Sequence, residues 1–140
     1  MGAVSEERLF VSIEEAGSGC GVLRSEIAAF YAGFGQPDVL HAAFLNAVLV
    51  VGVSDGNRLI VSEFGGVDWV CAFTSLEEFA GYMVARGVAQ EREYRYHTLL
   101  GRRIVEEFTA RCVRPTGVVI DIAGAAPMAF PPVLPGVGGG

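Results

Sequence analysis

From Leu23 onward the apolar positions change rhythm in a regular way, and each change predicts an element. Leu23, Ile27, Phe30 and Phe34 recur every three or four residues, the stripe of an amphipathic helix, which Gly33 and Gly35 then end. Pro37 suits the first turn of a second helix, because its missing N–H would have no partner there, and Leu40, Phe44 and Ala47 line its inner side. Val48 to Val53 is a continuous apolar run, as expected of a strand covered on both faces. Ser54-Asp55-Gly56-Asn57 is a tight turn, Arg58 to Phe64 the return strand, and Gly65-Gly66 a second turn. Val67 to Phe73 alternates, with Val67, Trp69, Cys71 and Phe73 on one face.

Ser75-Leu76-Glu77-Glu78 has the form of a capping box: the Ser75 hydroxyl accepts from the Glu78 amide while the Glu78 side chain reaches back. The helix it opens runs to about Arg86 and stops at Gly87, with Leu76, Phe79, Ala80, Met83 and Val84 inward. Tyr94 to Leu99 alternates as a strand or extended segment. Arg102 to Cys112 is a helix with Ile104, Val105, Phe108 and Cys112 inward, ended by Arg114-Pro115, and Gly117 to Ile122 is a last strand. The order α-α-β-β-β-α-β-α-β predicts an α+β fold: a mixed, largely antiparallel sheet with a three-stranded meander, backed by helices on one side. Residues 1–22 read as a flexible N-terminal extension. Within it Arg8 to Ile13 fits either a strand or a short helix, and Gly17 to Gly21 reads as a linker. Residues 23–132 form the domain and 133–140 a Gly-rich tail, after a proline-rich exit from Ala126 to Pro135.

Composition narrows the function classes. The 140 residues suit one domain. At 51% apolar the chain can bury a core, and at 19% charged it is poorer in surface charge than an ordinary domain, which suggests surface hidden in a partner or a second copy. Net charge is −6, and the arginines from Arg92 to Arg114 are interleaved with Glu91, Glu93, Glu106 and Glu107, so no basic track for nucleic acid exists. Every Lys/Arg position is arginine, which excludes a Schiff-base or P-loop lysine. Cys20, Cys71 and Cys112 form no C-x-x-C pair, so no zinc knuckle or redox motif is expected. The longest apolar stretch, Val39 to Val53, is interrupted by His41 and Asn46 and is too short for a membrane span. With no basic head and apolar run at the N-terminus, a cytoplasmic location is expected.

Candidate chemistry is sparse. Gly17-Ser18-Gly19-Cys20-Gly21-Val22 departs from the dinucleotide fingerprint at Val22. His41 lies in an apolar helix, and His97 shares its facing with Arg95, opposite to Tyr94 and Tyr96; no local motif joins either to a nucleophile. No metal set and no cofactor are expected. Trp69 reads either as core beneath the Ser75–Arg86 helix or as an anchor in a groove. Trp69, Tyr94, Arg95, Tyr96 and His97 are therefore the candidate interaction surface, and Trp69, His97 and Asp121 a candidate ligand pocket. Asp121 also fits a turn residue that accepts backbone amides.

The stretch Val48 to Phe79, with its DG and GG turns and V-D-W-V-C-A-F-T-S-L-E-E-F, together with Val118-Val119-Ile120-Asp121-Ile122-Ala123-Gly124 and Pro127-Met128-Ala129-Phe130, resembles the N-terminal domain of the SseB (enhanced serine sensitivity) family. The resemblance covers roughly Leu23 to Pro132. It implies an α+β fold in a family with no assigned reaction; it supplies no functional residue, and these residues do not contain the second domain of the longer relatives. Relatives that accompany bacterial secretion genes make a secretion accessory one alternative. The leading expectation is a non-catalytic protein-interaction domain that pairs as a homodimer; a small-ligand binder or unrecognised hydrolase is the other alternative.

Overall fold

Leu23 and Ile27 lie on the buried side of a helix that starts three residues earlier than expected, at Cys20. The computed structural model describes residues 18–54, 58–87 and 95–132. The expected elements at Arg8 to Ile13, the centre of the Asp55-Gly56-Asn57 turn, Tyr94 and the 133–140 tail lie outside these residues. Helix α1 (Cys20–Tyr31) is entered through Gly19 at φ 76, where a Cβ would come 2.6 Å from the Asn46 carbonyl oxygen. Ser18 is tied to the sheet, its carbonyl accepting from the Val48 amide at 2.9 Å, so residues 18–22 belong to the folded body and are not a linker. The buried stripe is Cys20, Leu23 and Ile27. Phe30 and Phe34, expected to continue it, are 47% and 80% exposed, because only the first two turns of α1 meet the core.

Helix α2 (Pro37–Leu45) has its proline in the first turn and buries Leu40, Ala43 and Phe44. The strands are β1 (Val48–Ser54), β2 (Arg58–Leu59), β3 (Val61–Phe64), β4 (Val67–Phe73), β5 (Arg95–Leu100), β6 (Thr116–Ile120) and β7 (Met128–Phe130). They form one mixed, mostly antiparallel seven-stranded sheet, so the chain is α+β. β5 pairs antiparallel with β1, β1 antiparallel with β4, β4 parallel with β6, and β6 antiparallel with β7.

The return strand of the meander is bent. Its first arm, β2, pairs with β1, and its second, β3, pairs with β4. Ile60 sits at the bend, donating its N–H to the Gly52 carbonyl at 3.0 Å and accepting from the Cys71 amide at 3.3 Å. Its side chain lies on Gly52, where a Cβ would approach Ile60 Cδ1 to 2.6 Å. β1 and β4 thus pair directly at Val50–Phe73 and Val51–Ala72 and fork around Ile60.

Helices cover both faces of the sheet, not one. Leu49, Val51, Val70, Ala72, Val118 and Ile120 point to a first face packed under α1, α2 and α4 (Gly101–Glu107). Val50, Cys71, Phe73 and Val119 point to a second face beneath α3 (Leu76–Ala85). The physical reason is the apolar run of β1, whose alternate side chains are fully buried in opposite directions and demand cover on each side. In α3 the Ser75 hydroxyl accepts from the Glu78 amide at 3.1 Å, one half of the expected capping box; among the described residues no bond returns from the Ser75 amide to the Glu78 side chain, whose Oε1 lies near Gly124 instead. Its buried residues are Phe79 and Tyr82, while Leu76 and Val84 are exposed, so the inward stripe is rotated from the one expected. The helix expected over Arg102 to Cys112 stops at Glu107 and yields to a 3-10 turn at Thr109–Arg111, which leaves Cys112 exposed. Its first residue is Gly101, where a Cβ would come 2.0 Å from the Phe44 carbonyl oxygen, so the β5–α4 junction needs glycine for close approach. Among the described residues no helix is long and apolar enough to cross a membrane.

Candidate functional site

Strand alternation separates the residues that sequence reading grouped. In β5, Tyr96 stands opposite Gly52 and packs on Phe79 on the second face, whereas His97 stands opposite Val51, on the first. Arg95 shares the His97 side and Tyr94 lies outside the described residues. Trp69 is on the second face with Tyr96, where both flank the α3 core. The grouping of Trp69, His97 and Asp121 into one pocket does not form: Trp69 and His97 point to opposite faces, and Asp121 follows the end of β6 in a different network.

What does form around Trp69 is an open half-face. The ten-residue α3 covers Cys71 and Phe73, in the second half of β4. Trp69 lies at the margin of that cover. Its ring rests flat enough against Gly117, its partner across the β4–β6 pair, that a Cβ there would come 2.7 Å from Trp69 Cζ3. Beyond it on the same face stand half-buried Val67 and, opposite Val67 on β3, Phe64 at 54% exposure. Ala129 of β7 is exposed on this face too. Phe64 follows the alternation of its strand: two residues on from Ser62, it falls on the same face, and its place beside the Gly65-Gly66 turn leaves it open.

At the ends of the parallel pair β4–β6 lies a polar knot. Thr74, 2% exposed, donates its amide to Asp121 Oδ1 at 2.9 Å and its hydroxyl to Asp121 Oδ2 at 2.8 Å. Arg24 of α1 donates Nε to the Thr74 hydroxyl oxygen and Nη2 to its carbonyl, each at 3.2 Å. Asp121 holds φ 51, a left-handed conformation uncommon outside glycine. Its carboxylate is thus consumed in tying β4, β6 and α1 together, the turn role the sequence allowed. The thiol of Cys20 nearby is pushed up from its ordinary value by burial, with Arg24 opposing and Asp121 adding to the rise.

A second polar group lies under α3. The Ser62 and Tyr82 hydroxyls are 3.2 Å apart, and the buried Cys71 thiol lies 3.7 Å from each. Burial raises the Tyr82 phenol above its ordinary value. Tyr96 is raised by burial as well, and its buried hydroxyl has no hydrogen-bond partner among the described residues.

On the first face, α2, the 109–117 segment and β7 line an open pocket of about 430 Å³. Phe44 and Phe130 stack there with centroids 4.3 Å apart and planes 12° from parallel, and His41 leans on both at 6.2 and 6.3 Å. Cys112 lines the same pocket, but its thiol donates to the Phe108 carbonyl at 3.1 Å. No sequence motif marked this hollow, since its walls come from three separate segments. Comparison of the chain with protein families, with curated proteins and with solved structures finds no match.

Proposed function

We propose that this chain is a non-catalytic protein-interaction domain that pairs with a second copy of itself, in the cytoplasm, through the open half-face around Trp69. The observation that carries the reading is Phe64, 54% exposed beside the half-buried Trp69 on the part of the second face that α3 leaves uncovered. Tryptophan and a neighbouring aromatic at the centre of a weakly charged surface are the residues that dominate binding energy when desolvated. The low charge fraction of 19% supports the same reading. Glu63 and Asp68, which hold Arg114 at 2.9 and 3.4 Å, alternate with Phe64 and Trp69 and so carry their charges on the opposite face, leaving the patch itself apolar.

A non-catalytic role is supported by how the polar groups are spent. Asp121 is bound to Thr74, Cys71 lies among hydroxyls beneath a helix, and the Cys112 thiol donates to the Phe108 carbonyl. The resemblance to the SseB family, which has no assigned reaction, is in keeping with this. Sedimentation equilibrium tests the proposal: the chain should have twice its 14.8 kDa mass at micromolar concentration, and Phe64→Ser should restore the single mass with unchanged circular dichroism. A single mass for the unaltered chain at the highest concentrations reached would overturn it.

A further inference from the structure

We propose that the hollow between α2, the 109–117 segment and β7 is a binding site for a small, planar, uncharged aromatic molecule. Its volume of about 430 Å³ lies within the usual span of small-ligand sites. The walls are rings and rigid residues: the stacked pair Phe44–Phe130, Val105, Val118, Pro131 and Pro132. Phe44 is fully buried, whereas Phe130 is partly open and presents an aromatic wall to whatever enters.

The polar groups of the lining decide the class of ligand, because nearly all of them are already satisfied within the chain. The Thr109 hydroxyl donates to the Val105 carbonyl at 3.1 Å, the Thr116 hydroxyl to the Arg114 carbonyl at 2.9 Å, and the Cys112 thiol to the Phe108 carbonyl at 3.1 Å. Arg114 is neutralised by Glu63 and Asp68. No Asp or Glu stands among the described lining residues, in a chain with 16 of them. A charged ligand would lose its water here without a free counter-charge, which is costly. His41 differs from these: among the described residues nothing hydrogen-bonds to its ring nitrogens, so the site offers apolar walls and an uncommitted imidazole at its edge.

Cys112 gives the site its own reporter. It is exposed and lines the hollow, whereas Cys20 and Cys71 are each 1% exposed. The test uses the full chain and indole as the probe, with iodoacetamide labelling of each cysteine followed by mass spectrometry. At ten times its dissociation constant, indole should slow labelling of Cys112 about ten-fold, by simple mass action, and should shift the His41 ring resonances. Its charged analogues, indole acetate and tryptamine, should need at least about ten-fold higher concentration for the same protection. Ala110→Trp, at an exposed lining position, should fill the hollow and remove the dependence on indole while circular dichroism stays unchanged. Labelling that ignores indole up to its solubility, with His41 unmoved, would overturn the proposal. So would equal protection by the charged analogues, or protection that survives in Ala110→Trp. Protection that grows with protein concentration and no indole present would also overturn it, by assigning the hollow to a second copy. The Phe64→Ser variant keeps its indole response in this account, which separates failure here from failure of the dimer.

Discussion

Asp121 grips Thr74 twice, accepting from its amide at 2.9 Å and from its hydroxyl at 2.8 Å, and so fastens the ends of the two parallel strands to each other. Arg24 completes the knot from α1. Removing the carboxylate in Asp121→Ala takes the acceptor from the buried Thr74 amide and hydroxyl proton and puts a Cβ residue without a local hydrogen bond at φ 51. The expected loss is about 2–4 kcal/mol by urea denaturation. Asp121→Asn, which tolerates the left-handed conformation and keeps one acceptor, should lose about half as much. Equal losses in the two variants would contradict the assigned role.

Tyr96 carries the opposite kind of feature, a buried hydroxyl that finds no partner among the described residues. Its ring still packs on Phe79 at 6.0 Å. Tyr96→Phe keeps the ring and drops the unpaired group, so thermal and urea unfolding should show a gain of about 0.5–1 kcal/mol. A loss of stability would mean that the hydroxyl is satisfied in solution.

Alkaline pH should unfold the chain earlier than acidic surface charge alone suggests. Burial raises the Cys20 thiol above 9.0 and the Tyr82 and Tyr96 phenols above 10.0 in the folded state. In the unfolded chain these groups give up their protons first, so it binds fewer protons than the folded chain over this range, and stability falls with rising pH. The contribution is intact below pH 9.0, begins to decline there through Cys20, and declines further above pH 10.0 through the tyrosines. Replacing both tyrosines with phenylalanine should flatten the slope above pH 10.0. An unchanged slope in that double variant would remove the tyrosines from the explanation.

Gly117→Ala tests the seat of Trp69. The added methyl would meet Trp69 Cζ3 at 2.7 Å and the Phe130 carbonyl oxygen at 2.7 Å. The backbone oxygen cannot retreat without moving β7, so a loss of about 2–3 kcal/mol is expected together with a change in tryptophan emission. A stability loss with unaltered emission would show that the ring does not rest on this glycine.

The fold was legible where a local rule sufficed. The apolar run of β1 predicted cover on both faces, Pro37 opened a helix, and Ser75 capped α3 through the Glu78 amide. Length of contact was harder to read: Phe30 and Phe34 keep the helical spacing of Leu23 and Ile27 yet lie past the core, and nothing local says where a core ends. Tyr82 lies inward where the helical pattern puts Val84: its ring packs in the core and its hydroxyl meets Ser62 on the covered face of the sheet, a pairing that no local pattern reveals. The candidate surface was half legible. Alternation along β5 does place Tyr96 opposite in facing to His97, and it is this alternation that divides the group. The joining of Trp69 to Gly117, and of Thr74 to Asp121, depends on a parallel pairing between segments more than forty residues apart, which no periodicity reveals.

Trp69 is the chain's only tryptophan, and in the proposed dimer it lies inside the contact between two copies. Its emission should therefore be blue-shifted in concentrated solution and move to longer wavelength on dilution, along the same curve that sedimentation gives for dissociation, and Phe64→Ser should show the long-wavelength spectrum at every concentration. An emission maximum that stays fixed while the mass halves would place the contact elsewhere and contradict the central claim.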